Sequence, residues 1–409
     1  MKVKTFTGLV PSADCAARVA SVPYDVVNSE EARALAEGNP DSFLHVVRAE
    51  IDFSPGTDPY GDDIYERSKY NLKSLVNRGV LTREIGPSLY LYRQVMDGHS
   101  QVGITLVCHI DDYGNDLIKK HEKTRPDKEN DRTKLTDVLS ANTGPVFLTY
   151  QDNPAIDSFV ADWIASSEPG IDFTDEGGVQ HTVWRVPDIA AAPVLEQFGR
   201  VPVSYVADGH HRSASAHRVG TARREANPDH DGTEGYNWFL AVMFPASQLK
   251  ILAYNRVVKD LNGLSSADML EELKGSVEVL SDGECVPRGP ESACMYLDGC
   301  WHTLKWTVES DNPIDRLDVS VLQDRILTPI LGVGDPRTDK RIDFVGGIRG
   351  TDELEKRVDS GEWAVAFSMH PTTVQQLMDI ADAGEIMPPK STWFEPKLRS
   401  GLFVYTLED

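Results

Sequence analysis

A chain of 409 residues, 40% hydrophobic and 26% charged, has the length of about two to three ordinary globular domains. Its formal net charge of −23 disfavours broad nonspecific binding to DNA or to anionic membranes, but a local cluster of cations can still hold a phosphate-bearing small molecule. No apolar run of about eighteen residues occurs and the N-terminal stretch has no long apolar core, so neither a transmembrane helix nor a signal peptide is expected.

The predicted elements alternate along the chain. VPYDVVNSEEA (22–32) is a Pro-Tyr-Asp loop that feeds a helix over SEEARALAEG (29–38), capped by Asn28 or Ser29, with glutamates at its positive end and Gly after it. YERSKYNLKSLVNRG (65–79) is a second helix with the same stop. SLYLYRQV (88–95) and VGITLVCHI (102–110) are strands joined by the turn MDGHSQ. HEKTRPDKENDRTK (121–134) is too polar for a core and reads as a loop. PVSYVAD (202–208) is a strand, TARREANPDHDGTEGYN (221–237) a surface loop, and WFLAVMF (238–244) and LKILAYNRVV (249–258) further strands. SDGECVPRGPESA (281–293) is another loop, and RTDKRIDFVGG (337–347) a basic loop before a strand. VQQLMDIADAG (374–384) is a late helix and GLFVYTL (401–407) the last strand. Mixed α/β is the expected class. Boundaries near 115 and 250 divide the chain into an N-terminal α/β region (1–115), a central core (116–250) and a C-terminal α/β domain (251–409). Cys15, Cys108, Cys285, Cys294 and Cys300 are scattered, odd in number and without a CxxC, which suits a reducing cytoplasm.

ADGHHRSASAHR (207–218) has the form strand, tight turn, helix. Asp-Gly permits a sharp turn and close backbone approach. The N–H groups that follow point outward at a helix N-terminus, where anions bind. Arg212 can hold a phosphate with two donors, His210 and His211 can add more, and Ala214 and Ala216 keep the helix slim. The plainer alternative is that Asp208 caps the helix and the histidines sit on the surface. Adjacent residues on a helix point about 100° apart, which is poor for chelating one ion. Neither a GxxxxGK[ST] loop nor an HRD and DFG set is present.

ADGHHRSASAHRVG resembles the nucleotide-binding signature of the ParB/sulfiredoxin-like superfamily: a Gly, two variable residues and an Arg at a strand-to-helix junction. DGHHR resembles the form found in free-serine kinases, which phosphorylate L-serine itself. IKKHEKTRPDKENDR (118–132) resembles the His-Glu segment of those kinases, and AGEIMPPKSTWFEPKL (383–398) their C-terminal segment, in the same order. The chain also resembles a large bacterial family of longer proteins that share VPYDVV, HExT, DGHHR and MPPKSTxFxPKxxSGL. That likeness covers nearly the whole chain; the kinase likeness covers roughly 116–250 and part of the C-terminal region, and leaves the first 115 residues without a counterpart.

The resemblance implies a ParB/sulfiredoxin-like nucleotide-binding core that transfers a phosphoryl group from ATP or ADP to free L-serine, giving O-phosphoserine. Glu122, beside His121, is then the catalytic base. Asp208, Gly209, His210, His211 and Arg212 hold the phosphates, with Arg132 and Lys128 folding over them. Lys390, with Ser391 and Thr392, contacts substrate or phosphate. Mg²⁺ accompanies the nucleotide with no direct protein ligand; Asp208 holds one of its waters or caps the helix. The expected partners are nucleotide and serine, with no nucleic acid or membrane, in the cytoplasm. The alternative is a nucleotide-binding or hydrolysing switch of the ParB type that regulates a partner. Tyr24 and Asp25 either line the site or belong to a plain loop. A reductase like sulfiredoxin lacks its reactive Cys, since His210 or His211 stands in that place. ATP, ADP and pyrophosphate all remain open as donor, as does a hydroxyl compound similar to serine.

Overall fold

A computed structural model describes residues 1–281 and 283–408, and Asp282 of the expected 281–293 loop lies outside them. The protein is mixed α/β. Its chain divides into two units, Met1–Leu249 together with the chain end from Pro396, and Lys250–Glu395.

Most strand-forming residues of the first unit build one large sheet. Among the described residues its strands are β1 (Val3–Lys4), β2 (Ser88–Met96), β3 (His99–His109), β4 (Ile118–Lys119), β5 (Val146–Tyr150), β6 (Ile171–Thr174), β7 (Gln180–Pro187), β8 (Ser204–Asp208) and β9 (Trp238–Pro245). Their spatial order is β4-β8-β5-β9-β3-β2-β7-β6, with β1 against β3. The expected hairpin at 88–110 is present as β2 and β3. Its turn is only Asp97-Gly98, both at positive φ (50° and 76°), the conformation that suits a two-residue hairpin. β8 runs parallel to β4, and β9 parallel to β5; the other pairings are antiparallel.

The longer helices of the first unit include α1 (Ser29–Ala36), α2 (Asp62–Asn77), α3 (Pro126–Leu139), α4 (Pro154–Ser166), α5 (Asp188–Arg200) and α6 (His210–Ala226). Asn28 caps α1 in a reciprocal box with Glu31, which settles the cap between Asn28 and Ser29. Leu106, Leu148, Val206 and Met243 of the sheet pack with Phe198 of α5 and Ala214 and Ala216 of α6. A second cluster joins Ala32, Leu72, Leu135 and Leu139 from α1, α2 and α3.

Two expected loops are shorter than they read. α3 begins at Pro126 inside the segment taken as a loop over 121–134. Its buried face is Asp131, Leu135 and Leu139, so a charge stands where an apolar residue would announce the helix. Asp131 accepts hydrogen bonds from Tyr65 Oη at 2.8 Å and Arg132 Nη2 at 2.7 Å, which offsets the cost of burying it. Likewise α6 continues to Ala226 into the segment read as a loop from 221.

In the second unit LKILAYNRVV is not one strand. Lys250–Leu252 pairs with Trp393–Glu395, and β10 (Tyr254–Val258) enters a separate antiparallel sheet. That sheet adds β11 (Glu278–Leu280), β12 (Ser292–Leu297), β13 (Cys300–Lys305), β14 (Ile342–Gly346) and β15 (Val365–Met369), in the order β11-β13-β12-β15-β10-β14. Val257, Val345, Leu354, Trp363 and Ala366 form its core. The helices α7 (Asp352–Asp359) and α8 (Val374–Asp382) belong to this unit, α8 capped by Thr373.

The expected last strand is reduced to Tyr405–Thr406, paired with Ala141–Asn142, while Val404 bridges Leu9 and Ser400 bridges Ser21. These pairings place the chain end in the first unit. Among the described residues no helix is long and apolar enough to cross a membrane.

Candidate active site

The register of two short strands builds the site. β4 and β8 pair in parallel through Ser204–Ile118 and Tyr205–Lys119, so the residues that follow both strands emerge at one edge of the sheet. His121 and Glu122 follow β4; Asp208 ends β8, and Gly209 and the first turn of α6 follow it. Gly209 sits at φ 95°, a backbone region that L side chains rarely adopt, and a Cβ there would stand 3.0 Å from Arg212 Nε. The Asp-Gly pair thus turns the chain sharply and lets the Arg212 guanidinium fold back over the turn.

The two segments meet. The rings of His121 and His210 lie edge to face with centroids 4.5 Å apart, and His210 Nδ1 is 4.0 Å from Glu122 Oε2. Both imidazoles are buried, and burial holds them neutral, His121 down to about 3 and His210 to about 4. The Glu122 side chain remains 40% exposed. His211 Nε2 accepts the Arg125 N–H at 3.1 Å, which ties the 120–125 loop to the start of α6. Burial lowers the pKa of His211, and the charges of Asp25, Glu122 and Glu129 oppose that.

Asp208 is the anionic floor. Its Oδ1 accepts the Gly209 N–H at 2.7 Å and its Oδ2 accepts Lys397 Nζ at 3.1 Å. Burial works against its charge, but Lys397 and Arg212 hold its carboxyl well below the usual carboxylate range. Arg212 Nη1 donates to the Pro145 carbonyl, Nη2 lies 3.9 Å from Asp208, and Nε is buried with no hydrogen-bond partner among the described residues.

Arg132 and Arg212 line one cavity of about 30 Å³ with Tyr24, room for a water-sized occupant. Arg132 directs its Nε and Nη2 to Asp131 and its Nη1 to the Val47 carbonyl, and its guanidinium lies 4.0 Å from the centroid of the buried Tyr24 ring. Lys128 Nζ receives a different partner, Tyr60 Oη at 2.8 Å.

A family model described as "Protein of unknown function (DUF1015)" matches residues 3–320. The chain belongs to this family. No curated protein matches the DUF1015 chain. Among solved structures it is similar to a conserved hypothetical protein from Pyrococcus furiosus, at 15% identity over 74% of this chain and 95% of that one, with a TM-score of 0.36. It is similar to a free serine kinase in complex with AMP, at 13% identity over 71% and 86% of the two chains and a TM-score of 0.36. It is also similar to SbnI with a C-terminal truncation from Staphylococcus aureus, at 12% identity over 74% and 87% and a TM-score of 0.40.

Lys397 of this DUF1015 chain meets the candidate site through Asp208, and the sequence expectation does not include it. MPPKSTWFEPK holds two lysines, and the reading chose the first. Lys390 lies in the second unit at φ 58°, its Nζ 5.5 Å from the centroid of the Tyr254 ring. Ser391 there is buried and donates its hydroxyl to the Pro388 carbonyl at 2.7 Å, and its own carbonyl accepts from Thr372; Thr392 follows in the same unit. The second lysine, at the start of the segment that returns to the first unit, reaches Asp208.

Proposed function

We propose that the protein is a small-molecule kinase that transfers a phosphoryl group from ATP or ADP to the hydroxyl of free L-serine. The observation that carries the reading is the meeting of Glu122 with the Asp208–Arg212 turn, a half-exposed carboxylate 4.0 Å from the first residue of a helix whose N-terminal N–H groups suit an anion. The order of HExT, DGHHR and PPKST motifs supports the same reading.

In this reading the N–H groups at the start of α6, with His210, His211 and Arg212, hold the nucleotide phosphates. Glu122 takes the proton from serine Oγ as that oxygen bonds to the terminal phosphorus. The bond from that phosphorus to its bridging oxygen breaks, and ADP leaves from ATP, or AMP from ADP. Asp208 keeps its negative charge and has one bond already on each oxygen, so it suits a water of Mg²⁺ better than the ion itself. Mg²⁺, when bound, neutralises phosphate charge. Lys397 adds a fixed cation beside Asp208.

Replacing Glu122 with Gln tests the reading. It keeps size and hydrogen bonding but cannot accept the proton, so phosphoserine formation should fall by about 10²–10⁴-fold while nucleotide affinity changes little. Phosphoserine formed at close to the parent rate would remove Glu122 from the base role. Nucleotide turnover that does not respond to serine would favour the ParB-type switch.

A further inference from the structure

We propose that His121, Glu122 and His210 form a binding site for a divalent transition metal of the Zn²⁺, Co²⁺ or Mn²⁺ kind. The inference goes beyond the phosphoryl-transfer reading and does not rest on it. Each residue offers one ligand atom, and these atoms all lie within 4.8 Å of one another. Ligands at about 2.0–2.2 Å from one ion in a tetrahedron stand about 3.3 Å apart, so the trio must draw in by up to about 1.5 Å. The two imidazoles are fixed: they are 2% and 6% exposed and packed against each other. Glu122 is the adjustable member, 40% exposed on the loop between β4 and α3.

His210 supplies the independent observation. Its ring is buried, its Nε2 has no hydrogen-bond partner among the described residues, and its Nδ1 stands 4.0 Å from Glu122 Oε2. A buried imidazole left this way costs stability unless something bonds it. A metal ion at the centre of the trio takes up one of those nitrogens. His121 already makes a hydrogen bond to the Val206 backbone, which fixes the ring as outer partners of metal-bound histidines do.

The donor set selects the class of ion. Two imidazoles and one carboxylate suit borderline divalent ions and leave positions open for other ligands. Mg²⁺ prefers oxygen and keeps its waters. His211 and Asp208 stand outside the set, since His211 Nε2 accepts from Arg125 and the two Asp208 oxygens accept from Gly209 and Lys397. The sequence reading weighed only the adjacent His210 and His211; the histidines that meet come from two segments that β4 and β8 bring together. A metal on Glu122 withdraws that carboxylate from proton acceptance, so the two occupancies exclude each other.

Calorimetric titration of the chelator-stripped full chain with Zn²⁺, Co²⁺ and Mg²⁺, and visible absorption of the Co²⁺ form, test the site. Wild type should bind one Zn²⁺ or Co²⁺ per chain and give no heat with Mg²⁺ alone. Glu122→Gln, on a half-exposed side chain, should weaken Zn²⁺ at least about tenfold, the scale on which even an outer partner of a ligand acts. His210→Gln should weaken it further, with circular dichroism confirming the fold. Wild type that takes up neither Zn²⁺ nor Co²⁺ at millimolar concentration overturns the proposal. So does binding that Glu122→Gln leaves unchanged. These readouts need no nucleotide or serine, so failure of the metal site and failure of the kinase reading are separable.

Discussion

Lys397→Met removes the cation that meets Asp208 at 3.1 Å and leaves that carboxylate with the Gly209 N–H and with Arg212 Nη2 at 3.9 Å. Both partners are largely out of solvent, 14% and 24% exposed, so the bond lies between a surface pair worth about 0–1 kcal/mol and a buried one whose breakage costs about 3–5 kcal/mol. A charge-assisted hydrogen bond contributes about 1.5–3 kcal/mol, and a loss of about 2 kcal/mol in unfolding free energy is the expected result. The pH dependence carries a sign. The folded-state pKa of Asp208 is depressed, so its contribution is present above the unfolded pKa and is lost as pH falls through the folded one. Without Lys397 the depression is smaller, and the acid limb of the stability curve should move to higher pH. Urea unfolding of wild type, Lys397→Met, Asp208→Asn and the double variant at several pH values measures both effects. Asp208→Asn should remove most of the cost of Lys397→Met, giving a coupling of at least about 1 kcal/mol. Single-variant effects that add within about 0.5 kcal/mol would refute the pairing.

Gly209→Ala forces a side chain into φ 95° and against the Arg212 guanidinium, so it should cost at least about 1–2 kcal/mol and disturb nucleotide binding, as paired thermal melts and calorimetry would reveal. Arg212→Ala should weaken nucleotide affinity by about 1.5–3 kcal/mol and also lower stability, because the same guanidinium holds the Pro145 carbonyl; unchanged nucleotide binding by calorimetry would remove the phosphate role. In the second unit, burial pushes Asp318 up to about 6 despite hydrogen bonds from Trp306 Nε1 and the Glu291 N–H. A raised carboxyl binds more protons folded than unfolded, so wild-type stability should fall by on the order of 2 kcal/mol between about pH 4 and 6, and Asp318→Asn, followed by tryptophan fluorescence, should lack that slope.

The Asp-Gly turn before α6 was legible because its signals are local. Asp-Gly before a histidine and a run of small residues fixes a strand, a left-handed glycine and a helix within a few positions. α3 was not legible because its buried face carries Asp131, and the partners that make this tolerable are the neighbouring Arg132 and Tyr65, 66 residues away. The split of LKILAYNRVV escaped for a related reason: hydrophobic character marks a strand, but nothing local says that Lys250–Leu252 and Tyr254–Val258 pair with different partners. Lys397 was hidden by distance, 189 residues from Asp208 along the chain. The signal that would have found it was the second lysine of the MPPKSTxFxPK pattern.

The site depends on one register. In a parallel pair, the chain ends that leave the carboxyl side of both strands share an edge, the place where open α/β sheets hold ligands. With Tyr205 opposite Lys119, the chain needs two residues to reach His121 on one side and five to reach His210 on the other. The extra length on the second side is absorbed by the register shift between Val206 and Asp208 and by the left-handed turn at Gly209. A slip of one residue in β4 would turn its alternate side chains to the opposite face and carry His121 away from His210. The two short strands therefore matter less for the few hydrogen bonds they add to the sheet than for where they release the chain. The same pairing that brings the Glu122 carboxylate to the mouth of the α6 N-terminus also sets two buried imidazoles against each other, so the proposed proton-accepting role and the proposed metal site both rest on one junction.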